Sequence, residues 1–435
     1  MAVPLYQKFP LIDVPGTFVS IRLEDFLILL TSIFWGITVL PSLKFYLKNK
    51  ITIALGIYIL VSMVSVASAM FITKTAAPHI AMLHLLRRIE YFMPFFMGYT
   101  IILWDRDSLK YYLKVLMIVV IAVFIYGFGQ KHYSWPIIIT QNEEYSKGIA
   151  LRWIEGSHIN STFAGHYDLA TFLVLALPIL ISSLFLLKGP KIRALLVLTI
   201  FAGIWLLINA ASRISILSYL LATTTALILV KKYRAIVIVI LVSVILVGFS
   251  SNLMARYLRV FDLIQKNYTR SGWINVNLKI KDSYAATGDI NLPERVNPTP
   301  TPPPVFEDRS TSIRLNVEWP RALRAFSKNP LLGTGFSSIT LATDNDYLRL
   351  LGETGILGLL AFFLIFLRLG EKIISNLPFD KHFSFSELAF VSGVTGALGG
   401  IFINGIFIDI FEASKFAIIF WLFIGMASGL LRDYE

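Results

Sequence analysis

Residues 168–187 read DLATFLVLALPILISSLFLL, a run of twenty residues in which only the first carries a charge. A run of this length and character matches the roughly 20 apolar residues that cross the hydrocarbon core of a bilayer. Similar runs recur along the 435-residue chain, which is 56% hydrophobic and only 15% charged. This composition excludes a soluble globular enzyme, because such proteins carry about a quarter of charged residues. The sequence predicts an all-α polytopic membrane protein.

The apolar runs that end in charged residues predict about eleven transmembrane helices. They lie near residues 25–43, 51–72, 89–104, 112–128, 168–187, 194–210, 214–230, 235–250, 347–367, 385–405 and 413–431. The N-terminal end leaves two alternatives open. Either a helix before the first run is missing, or the segment from Pro4 to Val19 forms a partial or re-entrant first helix, which would give twelve.

Basic residues predict which connections face the cytoplasm, because cytoplasmic loops carry an excess of Lys and Arg. They cluster in alternate short connections, at Lys44, Lys48 and Lys50, at Arg106 and Lys110, at Lys188, Lys191 and Arg193, at Lys231, Lys232 and Arg234, and at Arg368, Lys372 and Lys381. The two long segments, 129–167 and 251–346, then lie outside. We expect an N-terminal bundle over 1–250 that contains the external loop 129–167, a large external loop over 251–346, and C-terminal helices over 347–435.

Cysteine and histidine usage narrows the possible chemistry. The chain has no cysteine, which removes disulfides, thiolate metal sites and cysteine nucleophiles. Its six histidines show no metal-ligand spacing, so only carboxylates could form a metal site. We expect no metal and no cofactor.

The loop 251–346 has two recognisable parts. The stretch from Asn291 to Asp308 is rich in proline, which favours an extended linker. From Thr311 onward, apolar residues at helical spacing predict an amphipathic helix, with Pro320 in its first turn or at a kink. We expect Arg321 and Arg324 on this helix to meet lipid headgroups at the membrane surface.

Two arginines at the external face are candidates for binding a phosphate group. Arg213 lies between two apolar runs beside small residues, and Arg314 begins the amphipathic helix. A guanidinium is always charged and makes paired hydrogen bonds to phosphate oxygens. The alternative for Arg213 is a membrane anchor whose charge reaches the interface. The glycines of the PLLGTG turn at 330–335 are explained by turn geometry alone.

Carboxylates follow where the chain re-enters the membrane, in TDNDYLRLLGETG from Thr343. Asp344 and Asp346 are candidate acid–base residues, although Asp344 could serve only as a helix N-cap. Glu353 lies seven residues after Asp346, so both project from one face of a helix. At membrane depth an ionisable Glu353 indicates function.

The external stretch 152–168 is dense in aromatic rings and hydrogen-bonding groups, a mixture that suits sugar recognition. We assign Arg152, Trp153 and Asn160 to glycan binding, and His166 is an alternative base because its side chain titrates near neutral pH. An interfacial loop anchored by Trp and Tyr is the alternative. Tyr347 and Glu353 complete the predicted glycan-binding set.

Taken together, these motifs resemble the O-antigen ligase and O-antigen polymerase superfamily, which are polytopic glycosyltransferases of bacterial envelopes. The resemblance spans roughly residues 110–430. Its elements are STFAGHYDLATFLVLALP from Ser161, ASRISIL around Arg213, the large external loop, the run from Arg314 to PLLGTGF, and TDNDYLRLLGETGILGLL from Thr343.

The resemblance implies transfer of a glycan from an undecaprenyl-diphosphate carrier at the outer face of the inner membrane, by inverting chemistry without a metal. Arg213 and Arg314 would then hold the diphosphate, and Asp344, assisted by Asp346 or His166, would orient or deprotonate the acceptor. The implied partners are the lipid-linked donor, a glycan or lipid A-core acceptor and membrane lipids, with no nucleic acid.

One residue departs from the family pattern. Ligases of this superfamily look like HNxxL where this chain has Asp344, Asn345, Asp346, Tyr347 and Leu348, so aspartate replaces the histidine. Polymerase-like members vary more at this position, and both activities stay open. The alternative class is a transporter or flippase for a lipid-linked or anionic solute, which predicts charges near the bilayer midplane. The runs 51–72 and 235–250 contain no charged residue, which favours chemistry at the external face over passage of a solute.

Overall fold

The structure is a computed structural model, and it describes residues 1–6, 11–12, 14–15, 20–138, 150–151, 153–154, 157–248, 313–339 and 342–431. The Pro-rich stretch at 291–308 and Arg152 lie outside the described residues. Within the described part the chain is helical, apart from an antiparallel pair of two-residue strands, β1 (Ile137–Ile138) and β2 (Ala150–Leu151).

In chain order, the helices are α1 (Leu23–Val39), α2 (Leu43–Lys48), α3 (Lys50–Phe71), α4 (Pro78–Trp104), α5 (Ser108–His132), α6 (His166–Leu186), α7 (Pro190–Ala210), α8 (Arg213–Leu229), α9 (Tyr233–Gly248), α10 (Trp319–Lys328), α11 (Asp346–Ser375), α12 (Phe385–Asn404) and α13 (Ser414–Leu430). Every predicted apolar run therefore coincides with a helix.

Seven helical segments within the described residues have the length and apolar character to cross a membrane. They are Leu23–Lys48, Lys50–Phe71, Ser108–His132, His166–Leu186, Pro190–Ala210, Asp346–Ser375 and Phe385–Asn404. Helices α8, α9 and α13 are apolar but shorter. The helical membrane architecture is confirmed, whereas the count of about eleven spans stays a prediction.

Helices α6, α12 and α13 form the centre of the bundle. Helix α13 packs along α4, and α12 packs along α6 and α8. Glycines allow these close approaches: a β-carbon on Gly400 would lie 2.5 Å from the carbonyl oxygen of Ser218, and one on Gly425 would lie 2.0 Å from that of Phe95. Small residues bring helix backbones together in this way where the surrounding lipid is as apolar as the side chains.

Two helices differ from their predicted bounds. Helix α4 begins at Pro78, well before the apolar run at 89–104, and passes through Arg87, Arg88 and Glu90. A criterion based on apolar residues misses this half of the helix because protein partners, rather than lipid, accommodate its charges. The first run breaks after Val39, where Pro41 lies in a 3-10 turn between α1 and α2.

The described residues of the segment from Pro4 to Val19 contribute to one 3-10 turn, at Val3–Leu5, while Ile12 pairs with Ile21 in an isolated bridge. Residues 7–10, 13 and 16–19 lie outside the part of the chain that the structure describes. The choice between a partial first helix and a missing one is therefore not decided by these residues.

Helix α1 lies at the edge of the bundle, and only 11% of its apolar window is buried. Polar contacts with α4 hold it there. Arg87 Nη2 donates to Asp25 Oδ2 and to the carbonyl of Ser20, at 3.0 and 2.9 Å. At the other end, Trp35 Nε1 donates to Thr100 Oγ1 at 2.9 Å.

The basic connections meet at one end of the bundle. Arg106, after α4, pairs with Glu387 at the start of α12 at 3.5 Å. Lys231, after α8, pairs with Asp380 at 2.7 Å. The candidate site occupies the opposite end, at the start of α11 and α13 and the end of α12. The basic connections are thus separated from the candidate site. This separation fits the predicted topology, in which the end with the basic connections is cytoplasmic.

Candidate functional site

Two loops meet at the start of α11, and Asp409 joins them. Its Oδ2 accepts a hydrogen bond from the amide of Thr343 at 2.8 Å, and its Oδ1 accepts one from the amide of Asn345 at 3.0 Å. Arg349 Nη1 donates to Oδ2 from the first turn of α11, also at 2.8 Å. The loop before α11 is thereby fixed on both sides of Asp344.

Asp344 faces Arg314. The Nε and Nη2 atoms of Arg314 lie 3.0 and 2.7 Å from Asp344 Oδ2. Asp344 adopts a left-handed backbone conformation with φ of 49°. Such a conformation is uncommon for a residue other than glycine, and aspartate tolerates it better than most. The bent loop, held by Asp409, therefore turns the carboxylate toward the guanidinium.

Arg314 opens a short π-helical turn, Arg314–Glu318, which runs into α10. Pro320 occupies the first turn of α10, as expected, and proline has no amide hydrogen and crowds the carbonyl four residues earlier. The widened turn before it relieves that conflict. The predicted amphipathic helix is thus confirmed, and it packs against α11.

Burial raises the pKa of Asp344 above its usual range, while the neighbouring Arg314 guanidinium opposes this shift and Asp409 adds to it. The guanidinium of Arg314 favours the charged form of this carboxylate, against the effect of burial. A buried carboxylate with a raised pKa beside a cation has the properties of a general base.

A helix N-cap role for Asp344 is excluded, because Asn345 occupies that position. Asn345 Oδ1 accepts the amide hydrogen of Leu348 at 2.9 Å. Asp346 instead binds the connection between α12 and α13, accepting hydrogen bonds from the amides of Ile410 and Phe411 at 3.0 and 3.3 Å. Its own amide donates to the carbonyl of Gly405 at 2.9 Å.

Below these loops lies a cavity lined by ionisable and aromatic residues. Its lining includes Arg88, Asp346, Arg349, Glu353, Glu412 and Trp421. Asp346 and Glu353 therefore share one face of α11, as their spacing predicted. Arg349 Nε lies 3.6 Å from Glu353 and 3.5 Å from Glu412, and Arg88 pairs with Glu412 from α4. These contacts explain how α4 carries charged residues inside the bundle.

Helix α11 is broken at Gly355, whose φ of 68° lies in the left-handed region. The PLLGTG turn fills the break. The amides of Thr334 and Gly335 donate to the carbonyls of Gly352 and Glu353, at 3.0 and 2.8 Å, and the amide of Ile356 donates to Pro330 at 2.9 Å. Backbone groups freed inside a membrane-embedded bundle need such internal partners. The turn therefore fixes Glu353 beneath the loops.

His166 begins α6 next to Tyr167, and their ring centroids are 4.0 Å apart. Tyr167 is a hydrogen-bonding neighbour of Arg314. The loop before α6 is held by the buried Lys415, whose Nζ donates to the carbonyl of Thr162 at 2.6 Å. The structure thus brings His166 to the same region as the Arg314–Asp344 pair, by way of Tyr167.

Arg213 is the first residue of α8. Five residues further along, Ser218 Oγ donates to Asn404 Oδ1 at 3.0 Å, next to the Gly405 carbonyl that binds Asp346. Five residues of helix rise about 7.5 Å. Arg213 therefore lies at the same end of the bundle as Arg314, beyond Ser218.

The predicted glycan-binding residues are spread over different surroundings. Trp153 Nε1 donates to the carbonyl of Ser157 at 3.3 Å. Asn160 is buried within its own turn, where its amide lies 3.5 Å from the carbonyl of Ala164. Tyr347 donates from its hydroxyl to the carbonyl of Phe402 at 2.8 Å, between α11 and α12. Of these residues Tyr347 is adjacent to the Asp344 loop in sequence.

Several residues of the site were not singled out from the sequence. Asp409 and Glu412 lie in a short connection between apolar helices. Arg88 lies at the edge of an apolar run, and Glu318 ends the π-helical turn before α10. The presence of two carboxylates in the connection 405–413 was the available signal. Within the described residues, no group of three His, Asp or Glu side chains has a metal-binding arrangement.

Comparison with known families finds a match over part of the chain. A family model described as O-Antigen ligase matches residues 195–363, which run from α7 through α8, α9 and α10 into α11. The match includes Arg213, Arg314 and Asp344, and it confirms the resemblance to the O-antigen ligase and polymerase superfamily. No curated protein matches the chain.

Proposed function

We propose that this O-antigen ligase-related membrane protein transfers or polymerises a glycan taken from an undecaprenyl-diphosphate carrier, at the outer face of the inner membrane. The observation that carries the proposal is the Arg314–Asp344 pair, in which two guanidinium nitrogens lie 3.0 and 2.7 Å from one carboxylate oxygen. The pair lies at the end of the bundle opposite the basic connections. A cation and a carboxylate in contact supply the phosphate-binding group and the base that this reaction needs.

In the proposed mechanism, Arg213 and Arg314 bind the diphosphate of the donor. The guanidinium of Arg314 makes two hydrogen bonds to one carboxylate oxygen, and phosphate oxygens suit the same donor pair. The diphosphate would replace Asp344 on Arg314. Binding of the donor would then release the Asp344 carboxylate next to the reacting sugar.

Asp344 would act on the acceptor. Its carboxylate accepts the proton of an acceptor hydroxyl while the hydroxyl oxygen bonds to the anomeric carbon. The bond between that carbon and the diphosphate oxygen breaks, and its electron pair leaves with the diphosphate. Attack from the side opposite the leaving group inverts the configuration. No metal is assigned a part in this proposal.

His166 is the more suitable of the two assisting residues, because Tyr167 joins it to Arg314. Asp346 has a different proposed task. Both of its carboxylate oxygens receive backbone amides from the connection that also carries Asp409. Asp346 would therefore keep Asp409 in register beneath Asp344.

The experiment is incubation of the purified protein, in lipid nanodiscs, with lipid-diphosphate-linked oligosaccharide, first alone and then with lipid A core. A ladder from the donor alone identifies a polymerase. Product that requires the core identifies a ligase. If no glycosidic bond forms under either condition, while the protein remains folded, the proposed function is wrong.

A transporter or flippase is the second candidate, and the buried charges favour it. Glu353 and Arg349 lie within α11, one of the seven candidate membrane spans, where ionisable residues often mark a solute path. A transporter would move the lipid-linked oligosaccharide across the bilayer of a sealed vesicle without changing its covalent structure. One assay with this donor separates the two functions. Transfer changes the mass of the glycan, whereas transport moves the unchanged donor to the other side of the vesicle membrane.

A further inference from the structure

Four polar side-chain atoms at the start of α10 and in the loop before α11 are buried and lack hydrogen-bond partners in the part of the chain that the structure describes. They are Glu318 Oε2, Trp319 Nε1, Arg321 Nη1 and Thr343 Oγ1. The large majority of buried side-chain polar atoms in proteins have a partner. Leaving a buried donor or acceptor unpaired is unfavourable. Three of these atoms lie within four consecutive residues, from Glu318 to Arg321.

Glu318 and Thr343 lie close to the proposed base, and Arg321 lies beside Glu318. Glu318 ends the π-helical turn and Arg321 lies three residues later in α10, which places them on one face of this continuous helical segment. Glu318 interacts electrostatically with Asp344, Arg314, Asp409 and Arg321. Thr343 immediately precedes Asp344, and its amide is held by Asp409.

The chemical character of the four atoms indicates the kind of ligand. The guanidinium and the indole donate hydrogen bonds, the carboxylate accepts them, and the threonine hydroxyl does both. Counting Glu318 itself, the charged groups nearly balance, with three carboxylates and two guanidiniums. A neutral ligand rich in hydroxyl groups satisfies such a set, whereas an additional phosphate would face an excess of carboxylates.

We propose that Glu318, Arg321 and Thr343, with Trp319 beside them, form a subsite for the acceptor sugar, whose reacting hydroxyl it presents to Asp344. The inference rests on the proposed function, and it adds the part of the site that receives the second substrate. Arg321 thereby has a different role from the lipid-headgroup contact expected from its sequence context. For Arg324, whose side chain is exposed, the lipid-headgroup contact stays a prediction.

The protonation state of Glu318 gives the subsite a further property. Burial raises the pKa of Glu318 to about 7, and Asp344 acts in the same direction, while Arg314 opposes the shift. Both forms of the carboxyl group are thus populated near neutral pH. The ionised form accepts hydrogen bonds from two sugar hydroxyls, and the neutral form donates one.

The test separates acceptor binding from donor binding. The test variants are Glu318→Gln, Arg321→Gln and Thr343→Val, and Arg324→Gln is the matched control. For each protein the acceptor, lipid A core or repeat-unit oligosaccharide, is titrated at saturating donor. The donor is then titrated at saturating acceptor. Losing a hydrogen bond to a charged group weakens binding by about tenfold to a hundredfold. We expect the acceptor KM to rise by that factor for Glu318→Gln and Arg321→Gln, and less for Thr343→Val. The donor KM and the Arg324→Gln variant should stay at wild-type values.

An equal rise in donor KM, or an unchanged acceptor KM in all three variants, overturns the subsite. Thermal unfolding of each variant confirms that it is folded, and Thr343→Val, which keeps the shape of the side chain, serves if the charge variants unfold.

Failure of the proposed function has a different signature. If the wild type forms no product, the free oligosaccharides are titrated against the intrinsic tryptophan fluorescence of wild type and Arg321→Gln. Binding that Arg321→Gln abolishes supports a sugar subsite without transfer, and binding to neither protein, or equally to both, overturns the subsite.

Discussion

Asp409 receives the backbone amides on either side of Asp344, from Thr343 at 2.8 Å and from Asn345 at 3.0 Å. Asp344 therefore depends for its left-handed conformation on a carboxylate that is distant in the sequence. The proposed base is positioned by tertiary structure, and not by its own helix, whose N-cap is Asn345.

Asp409→Asn tests this dependence. An asparagine retains one acceptor oxygen but loses the charge that pairs with Arg349. We expect the transfer rate to fall by about tenfold or more, which corresponds to about 1.4 kcal/mol of activation free energy. The free energy of unfolding should fall by about 1–3 kcal/mol, because a buried charged hydrogen bond is lost. Asp380→Asn is the control, since its ion pair with Lys231 is solvent-exposed and at the opposite end. A wild-type rate in Asp409→Asn would show that the loop holds Asp344 without it.

Arg213→Ala and Arg314→Ala should abolish transfer while the protein remains folded, because each removes a cation from the proposed diphosphate site. Arg314→Lys retains the charge but cannot make the paired hydrogen bonds of a guanidinium, so we expect a raised donor KM with partial activity. Rates with lipid-diphosphate-linked donor and melting curves are the measurements. Arg324→Ala, which removes an exposed side chain, should behave as wild type. The clamp is refuted if either alanine variant retains the wild-type rate.

The pKa of Glu318 predicts a pH dependence of stability. Its folded-state pKa of about 7 exceeds the unfolded value of 4.5, so the folded protein binds more protons between these values. Stability contributed by this group is therefore lost as pH rises from 4.5 to about 7. Glu318→Gln removes that loss, and its melting temperature should gain on the wild type across this range. A difference in melting temperature between Glu318→Gln and the wild type that stays constant across this pH range would contradict the prediction. Glu371→Gln, at an exposed ion pair with Arg368, should show such a constant difference.

Gly355→Ala should destabilise the protein strongly. A β-carbon there would lie 2.3 Å from the carbonyl oxygen of Leu331, and the φ of 68° adds strain for any residue with a side chain. The strain alone is about 1–2 kcal/mol, and the overlap adds about 1–3 kcal/mol. Gly370→Ala, in the same helix with open space around it, should be neutral or stabilising by about 0.5–1 kcal/mol. Equal melting temperatures for the two variants would show that the break at Gly355 is not needed.

The sequence predicted the helical membrane fold well, because a repeated apolar run near 20 residues is typical of a membrane span and of little else. It missed the first half of α4, since Arg87 and Arg88 interrupt the apolar pattern although each finds a partner on another element of the bundle. Such pairing is a property of the assembled bundle. No local pattern reports it.

The site was predicted in part. The spacing of Asp346 and Glu353 correctly placed both on one face of α11, and Arg314 and Asp344 proved to be in contact. Asp409 and Glu318 could not be selected, because their importance comes from loops that fold back onto the start of α11. The polar partners of Asn160 and Tyr347 likewise became visible only in the folded chain.

The edge position of α1 has a practical consequence for handling the protein. This helix is joined to the bundle by a few contacts, such as Arg87 with Asp25 and Trp35 with Phe96, while most of its apolar surface faces outward. Surfactants that compete for that surface would loosen α1 first. The loss of its contacts would then disturb α4, which carries Arg88 into the cavity. Activity measured after extraction should therefore depend on the solubilising medium, with small, harsh surfactants inactivating the protein before the central helices unfold.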